Sequence, residues 1–335
     1  MSKDVALQLD FKKITSLITK ARINALKTVN RELINLYWEV GKHVSNKVNS
    51  DNWGKSVVEE LSQFIQEQHP GIKGFSRRGL FRMKQFYEAY YKNQKVSPLV
   101  TQISWTNNLI ILSKCKTIEE REFYILLSAK DRLSKRELER QINSGVFERT
   151  MLANKKVPPV VRKIHPDIQN VFKDTYVFEF LDLPKEHNEN DLQKALVNNL
   201  KNFLLELGRG FTFIGQEYRV QVGMHDYYID LLLFNRTMQC LVAIELKTVE
   251  FEPEFLGKMN FYLEALDSDL KLPNENPSMG ILLCKGKDTE VVEYALRRNL
   301  SPALIADYET KLIDKNILKA KLHELYEILE KNIDD

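Results

Sequence analysis

Asp230, Glu245 and Lys247 combine residue types and a spacing that suit chemistry on a phosphate group. They lie in two apolar runs, YYIDLLLF and LVAIELK, separated by the polar NRTMQC, a pattern that reads as a β-hairpin. Both runs are apolar enough to be buried on both faces. An ionised carboxylate in such a place is strongly unfavourable unless a cation, a hydrogen-bond network or a metal compensates it. A turn centred on Arg236 and Thr237 sets Asp230 opposite Ala243, on the sheet face that Glu245 and Lys247 share. Asp230 and Glu245 are then diagonal neighbours, roughly 7–8 Å apart at the backbone, a span that one bridging cation closes. Two carboxylates, the backbone carbonyl of Leu246 and open positions for water form a hard oxygen set, suited to Mg²⁺ or Mn²⁺ and not to zinc. Such an ion acidifies water and neutralises charge on a phosphate, while Lys247 positions the attack or stabilises the crowded phosphorus. The competing reading is a buried aspartate and a Glu–Lys pair that only satisfy each other. On these three residues alone both stand.

The elements around the hairpin are expected in a definite order. Asp191–Leu207 reads as an amphipathic helix ended by Gly208, and Phe211–Val222 as a first strand. The hairpin supplies two more strands. Pro253–Leu266 reads as a helix, Met279–Cys284 as a strand and Thr289–Arg298 as a helix, with a strand at Pro302–Tyr308 and a closing helix at Asn316–Lys331. YVFEFLDLP, ahead of them, is a short strand or docking segment.

Asp230 followed by Glu-x-Lys on the next strand resembles the active-site signature of the PD-(D/E)XK nucleases, with Ile229 where that name has proline. The segments FLLELGRGFTFIGQEYRV, DYYIDLLLF, AIELKTVEFEPEFLGKMNFYLEAL and SMGILLCKGKDTEVVEYAL, in order, resemble the bacterial YhcG family of PD-(D/E)XK nuclease-like proteins. The resemblance implies a restriction-endonuclease-like α/β core, a mixed sheet flanked by helices, cutting phosphodiester bonds with Asp230 and Glu245 as metal ligands and Lys247 beside them. It also draws in accessory residues. Glu217, on the polar side of the first strand, is placed to reach the metal, at a position where the family usually has Gln. Glu206, in FLLELG, is a candidate for the helix carboxylate that some of these nucleases use, with plain solvation at a helix end as the alternative. Lys258 and Tyr262 match the spacing of the Q-x-x-x-Y motif of RecB-like nucleases, with Lys in place of Gln, and lie one turn apart on one helix face where both can reach DNA or the scissile phosphate.

The N-terminal half reads as helical. Phe11 to about Val48 has helical apolar spacing with Gly41 as a break, Lys55–Gln68 repeats the pattern, and a helix follows Ser76 as N-cap in SRRGLFRMKQFYEAYY. On that helix Met83, Phe86, Tyr87 and Tyr90 join Leu80 in an apolar stripe, while Arg77, Arg78, Arg82 and Lys84 face the other way, ready for phosphates or a groove. Short helices are expected at Ser104–Leu112, Ile118–Ala129 and Ser134–Ile142, the last opened by a capping box in SKRE. Trp105, Phe123 and Tyr124 read as core aromatics. Several small helices with short turns suggest a helix-turn-helix or winged-helix-like domain. WGKSVVEEL, GFSRRGLFRMKQFYEAY, ISWTNNLIIL and the R-x-F-Y of Arg121–Tyr124 resemble the domain that accompanies the YhcG-type nuclease, which implies DNA binding.

Charge agrees with that division of labour. Residues 1–160 hold 28 Lys and Arg against 16 Asp and Glu, a net +12, and the remainder holds 21 against 30, a net −9. A basic half suits a polyanion and an acidic half suits cations. With 335 residues, two domains are expected: a helical DNA-binding domain at 10–150, a Pro-containing linker at 151–170 and the nuclease domain at 171–333. Cys115, Cys240 and Cys284, three and widely spaced, argue against a disulfide framework or zinc cluster and for the reducing cytoplasm. No membrane span, secretory signal, P-loop, G-x-G-x-x-G or Ser-His-Asp constellation is legible. The expectation is therefore a Mg²⁺- or Mn²⁺-dependent endodeoxyribonuclease with DNA as partner, a second copy of the chain left open, and no membrane or organic cofactor. Repair, recombination and defence against foreign DNA all remain open as its setting. The alternatives are a non-catalytic DNA-binding or assembly protein with a vestigial nuclease fold, and a nuclease acting on RNA.

Overall fold

The computed structural model describes residues 28–49, 55–153, 161, 172–184, 186–297, 299 and 301–331. The chain divides into two compact units, Met1–Ile142 and Asn143–Asp335.

The first unit is helical: α1 over 28–49, α2 Lys55–Gln68, α3 Arg77–Tyr90, a 3₁₀ turn at Leu99–Gln102, α4 Trp105–Lys114, α5 Ile118–Asp131 and α6 Lys135–Asn143. Its helix starts are written in short polar side chains. Ser76, Ser104 and Thr117 each accept the backbone N–H three residues on. Ser134 and Glu137 close the expected capping box from both sides, at 3.4 and 2.8 Å. Tyr37, Val44, Val58, Phe75, Leu80 and Met83 form one core cluster, each fully buried apolar side chain contributing about 1.5–3 kcal/mol relative to exposure. Gly41 does not break α1. A Cβ there would lie 2.1 Å from the carbonyl oxygen of Met83, so the missing side chain lets α1 and α3 touch. Among the described residues this unit has no strand, so the winged half of the expectation has no counterpart there. The part of the first predicted helix before residue 28 lies outside the described residues, as does most of the predicted linker.

In the second unit α7, Val146–Leu152, packs against the last helix of the chain. It continues with β1 Thr175–Val177, α8 Glu189–Asn198, α9 Leu200–Leu207, β2 Phe211–Val222, β3 His225–Asn235, β4 Cys240–Leu246, α10 Phe255–Asp269, β5 Met279–Cys284, α11 Thr289–Arg297, β6 Ala303–Glu309 and α12 Lys315–Lys331. The six strands form one sheet in the order β1-β6-β5-β4-β3-β2. β1, β6, β5 and β4 run parallel, and β3 and β2 are added antiparallel. α8 and α9 bury Leu192, Leu196, Phe203 and Leu207 on one face. On the other, α10 buries Leu256, Met259, Leu263 and Leu266. Both faces of the central strands are thus covered, which is why β4 and β5 are buried throughout and, Glu245 apart, apolar. The single helix expected at Asp191–Leu207 is two, interrupted at Asn199, whose φ −110 and ψ 32 leave the helical region.

Candidate active site

The site is built where β3 and β4 part. Their ladder runs from Asn235–Cys240 to Leu231–Ile244 and pairs Leu232, not Asp230, with Ala243. The register is therefore two residues away from the expected one. The cause is the turn: the Asn235 side chain accepts the N–H groups of Thr237 and Met238, at 3.0 and 3.1 Å, and shapes a four-residue loop in place of a two-residue one. A shift of two keeps the paired residues, Leu231–Asn235 and Cys240–Ile244, on their own faces. It also moves Asp230 from opposite Ala243 to the level of Glu245.

Asp230 continues the ladder with its side chain. Its Oδ2 accepts the N–H of Leu246 at 2.7 Å, and its own carbonyl accepts Gln193 Nε2 of α8 at 2.7 Å. Regular alternation fails here: Ile229 packs on the α10 face together with Leu232, three residues on. The Lys247 N–H bonds the Leu283 carbonyl of β5 at 2.8 Å, so the backbone groups of Leu246 face the other edge, towards Asp230. That is the direction a ligating carbonyl needs.

Glu245 is 1% exposed. Its Oε1 accepts Lys247 Nζ at 3.3 Å and Lys258 Nζ of α10 more closely still. Its Oε2 is buried with no hydrogen-bond partner. A buried carboxylate oxygen left without a donor is a destabilising arrangement that a cation would relieve. Burial, then the neighbouring Glu245, push the Asp230 carboxyl up to about 6, against the opposing pull of the Leu246 N–H and the two lysines. Lys247 is fixed from both sides: beyond Glu245, its Nζ lies 3.1 Å from each carboxylate oxygen of Glu189, the first residue of α8. Burial works against the Lys247 ammonium, yet Glu245 and Glu189 outweigh it and hold its pKa above the ordinary value. Its two carboxylate neighbours thus favour the charged form.

The donor set fits a hard divalent ion: an oxygen of Asp230, the unpartnered Oε2 of Glu245 and the Leu246 carbonyl, with no thiolate or imidazole among them. Among the described residues no group of three or more acidic, His or Cys side chains converges, so any ion would complete its shell with water or substrate oxygens.

Residues 169–323 match the family described as YhcG PDDEXK nuclease domain, and residues 13–149 match the DUF1016 N-terminal domain. The chain thus carries a PD-(D/E)XK nuclease domain of the YhcG type behind a DUF1016 N-terminal domain. It is 28% identical over 355 residues to the Escherichia coli (strain K12) protein named "Putative nuclease YhcG", a match covering 95% of this chain and 94% of that one. A crystal structure of a repair endonuclease from Pyrococcus abyssi overlaps 38% of this chain and 48% of that one, at 14% identity and a TM-score of 0.26.

In this YhcG-type domain the accessory residues separate. Glu217 stands at the level of Asp230 on β2, but it is exposed, has φ 45 and does not converge with the two carboxylates. A non-glycine residue held left-handed beside the site marks a local kink of the edge strand. Tyr262 is 2% exposed and donates its hydroxyl to the Tyr228 carbonyl at 2.6 Å, so it fastens α10 to β3 and is not presented to a phosphate. Lys258 does reach the site, through Glu245, and its Nζ lies 5.3 Å from the centre of the Tyr262 ring. Glu206 is no helix carboxylate of the site. It is fully buried, 3.1 Å from both Arg149 and Lys173, and accepts the Val177 N–H. The helix carboxylate that meets Lys247 is instead Glu189. The sequence reading missed Glu189 because an acidic residue in the first turn behind an Asn cap is ordinary helix decoration.

On α3 of the DUF1016-type unit, Leu80, Met83, Phe86 and Tyr90 are buried as expected, while Tyr87 is only half-buried and stacks on Tyr91 at 5.1 Å. Arg78 is exposed and Arg82 half-buried, and among the described residues neither has an ionic partner. Arg77 lies 3.8 Å from Glu59. Lys84 is turned inwards: its Nζ sits 2.7 and 2.9 Å from the two Glu88 oxygens, which removes it from the expected phosphate-facing set.

Proposed function

We propose that this protein is a Mg²⁺- or Mn²⁺-dependent endonuclease that hydrolyses phosphodiester bonds in DNA. One observation carries the reading: Glu245 is buried with an oxygen lacking any donor, at the level of Asp230 and beside a lysine that two carboxylates keep charged. Asp230, Glu245 and the Leu246 carbonyl would hold the ion. When bound, it supplies Lewis-acid charge to the scissile phosphate and a more acidic water. Lys247 contributes a second positive charge that need not be oriented during the reaction, because Glu189 and Glu245 have already fixed it. Gln193 and the Leu246 N–H hold the backbone and the carboxylate of Asp230 in one position. The helical unit, with Arg77, Arg78 and Arg82 on one side of α3, supports DNA as the polymer.

The test is digestion of linear, nicked and branched DNAs, with RNA alongside, in Mg²⁺ or Mn²⁺. Asp230→Ala and Lys247→Ala should each abolish cleavage and leave DNA retardation on a gel intact. Undiminished cleavage by both variants refutes the assignment. Retardation by wild-type protein with no products under either metal favours the non-catalytic DNA-binding reading.

A further inference from the structure

The two lysines on Glu245 differ in how they are held. Lys247 is 12% exposed, bridges to Glu189 and lies 5.4 Å from the centre of the Phe255 ring. Lys258 is 48% exposed, and among the described residues its ammonium rests on Glu245 and on Tyr262, at the end of a flexible four-carbon stem. It touches the same carboxylate, at Oε1, whose other oxygen is free. A divalent ion on Glu245 therefore meets a monovalent cation already in place. Like charges this close repel, and the partner with the exposed, flexible stem is the one that moves.

We propose that Lys258 is an exchangeable cation: its ammonium neutralises Glu245 until a divalent ion displaces it, and once released it offers its charge to the substrate phosphate beside the site. The inference rests on the metal reading above and deepens it. Two consequences follow from this exchange. Lys258 lowers the intrinsic affinity of the site for metal, and it couples metal binding to polyanion binding, because the displaced charge has a new partner only when DNA is present.

The experiment measures Mn²⁺ binding to the full-length protein without DNA, by electron paramagnetic resonance of the free ion. Wild type, Lys258→Gln, Lys258→Arg and Asp230→Asn are compared. Lys258→Gln should bind Mn²⁺ roughly tenfold more tightly than wild type, the effect of removing one like charge a few ångströms away. Lys258→Arg, which keeps the charge, should stay within about threefold. Equal or weaker binding by Lys258→Gln overturns the exchange. If wild type and Asp230→Asn bind Mn²⁺ equally, what fails is the metal reading itself, so the two failures are told apart.

Discussion

At the scale of single residues, this site is held in a costly state. In the metal-free protein Asp230 binds its proton near pH 6, whereas in the unfolded chain it does so near the ordinary 3.8. A folded pKa raised in this way gives a stability contribution that is full below the unfolded value and is lost as pH rises through the folded one. Asp230→Asn keeps an acceptor for the Leu246 N–H but carries no charge. With chelator present it should be more stable than wild type by about 1–3 kcal/mol at pH 7 and by almost nothing at pH 4. Thermal melts at the two pH values check this, and the same gain at both would show that charge is not the cause. Glu189 allows a second prediction. Glu189→Gln leaves Lys247 with Glu245 alone, so cleavage should fall about 10- to 100-fold while DNA affinity holds, as measured by single-turnover kinetics. Asp230, Glu245 and Lys247 were legible because charges in an otherwise apolar hairpin demand an explanation. Glu189 lies far back in the chain, and only the packing of α8 across the end of β4 brings it in.

Among the elements, local patterns decided type and position, and tertiary contacts decided the details. The strand and helix order of the second unit follows from apolar runs and turn residues, since the buried central strands admit little else. The hairpin register did not follow, because Asn235 builds a longer loop with its side chain than a count of turn residues suggests. Its parity survived from Leu231 onwards, and the hydrogen bond from the Leu246 N–H to the Asp230 carboxylate keeps Asp230 beside Glu245. Gly41 read as a helix break for a similar reason, because the backbone of Met83 that lies against it is remote in sequence. Gly280 of β5 offers an element-scale test. A Cβ there would come within 2.3 Å of Met259 Sδ, on the turn of α10 that carries Lys258. Gly280→Ala should cost about 1–3 kcal/mol and shift α10 against the sheet, lowering cleavage as well as melting temperature. Loss of stability with fully retained turnover at a permissive temperature would show that α10 is not held to the site through this contact.

For the molecule as a whole, the proposed function and the asymmetry of charge together point to the first half for polymer binding, and the structure narrows which cations are free to serve it. Lys84 is spent on Glu88, which also accepts the Ser45 hydroxyl at 2.7 Å, an arrangement that ties α3 to α1. Arg78 and Arg82 are the cations on that side of α3 with no ionic partner among the described residues. A side chain that neutralises one phosphate releases about one counterion, so the slope of log affinity against log salt counts such contacts. Arg78→Ala and Arg82→Ala should each weaken DNA binding uniformly across sequences and reduce the salt slope by about 1. Lys84→Ala should leave that slope unchanged while lowering the melting temperature, since it leaves Glu88 with the Ser45 hydroxyl but without its cation. Salt titrations of the three variants on one duplex separate the roles. An unchanged slope in both arginine variants would move the polyanion surface off α3, without touching the hydrolytic centre.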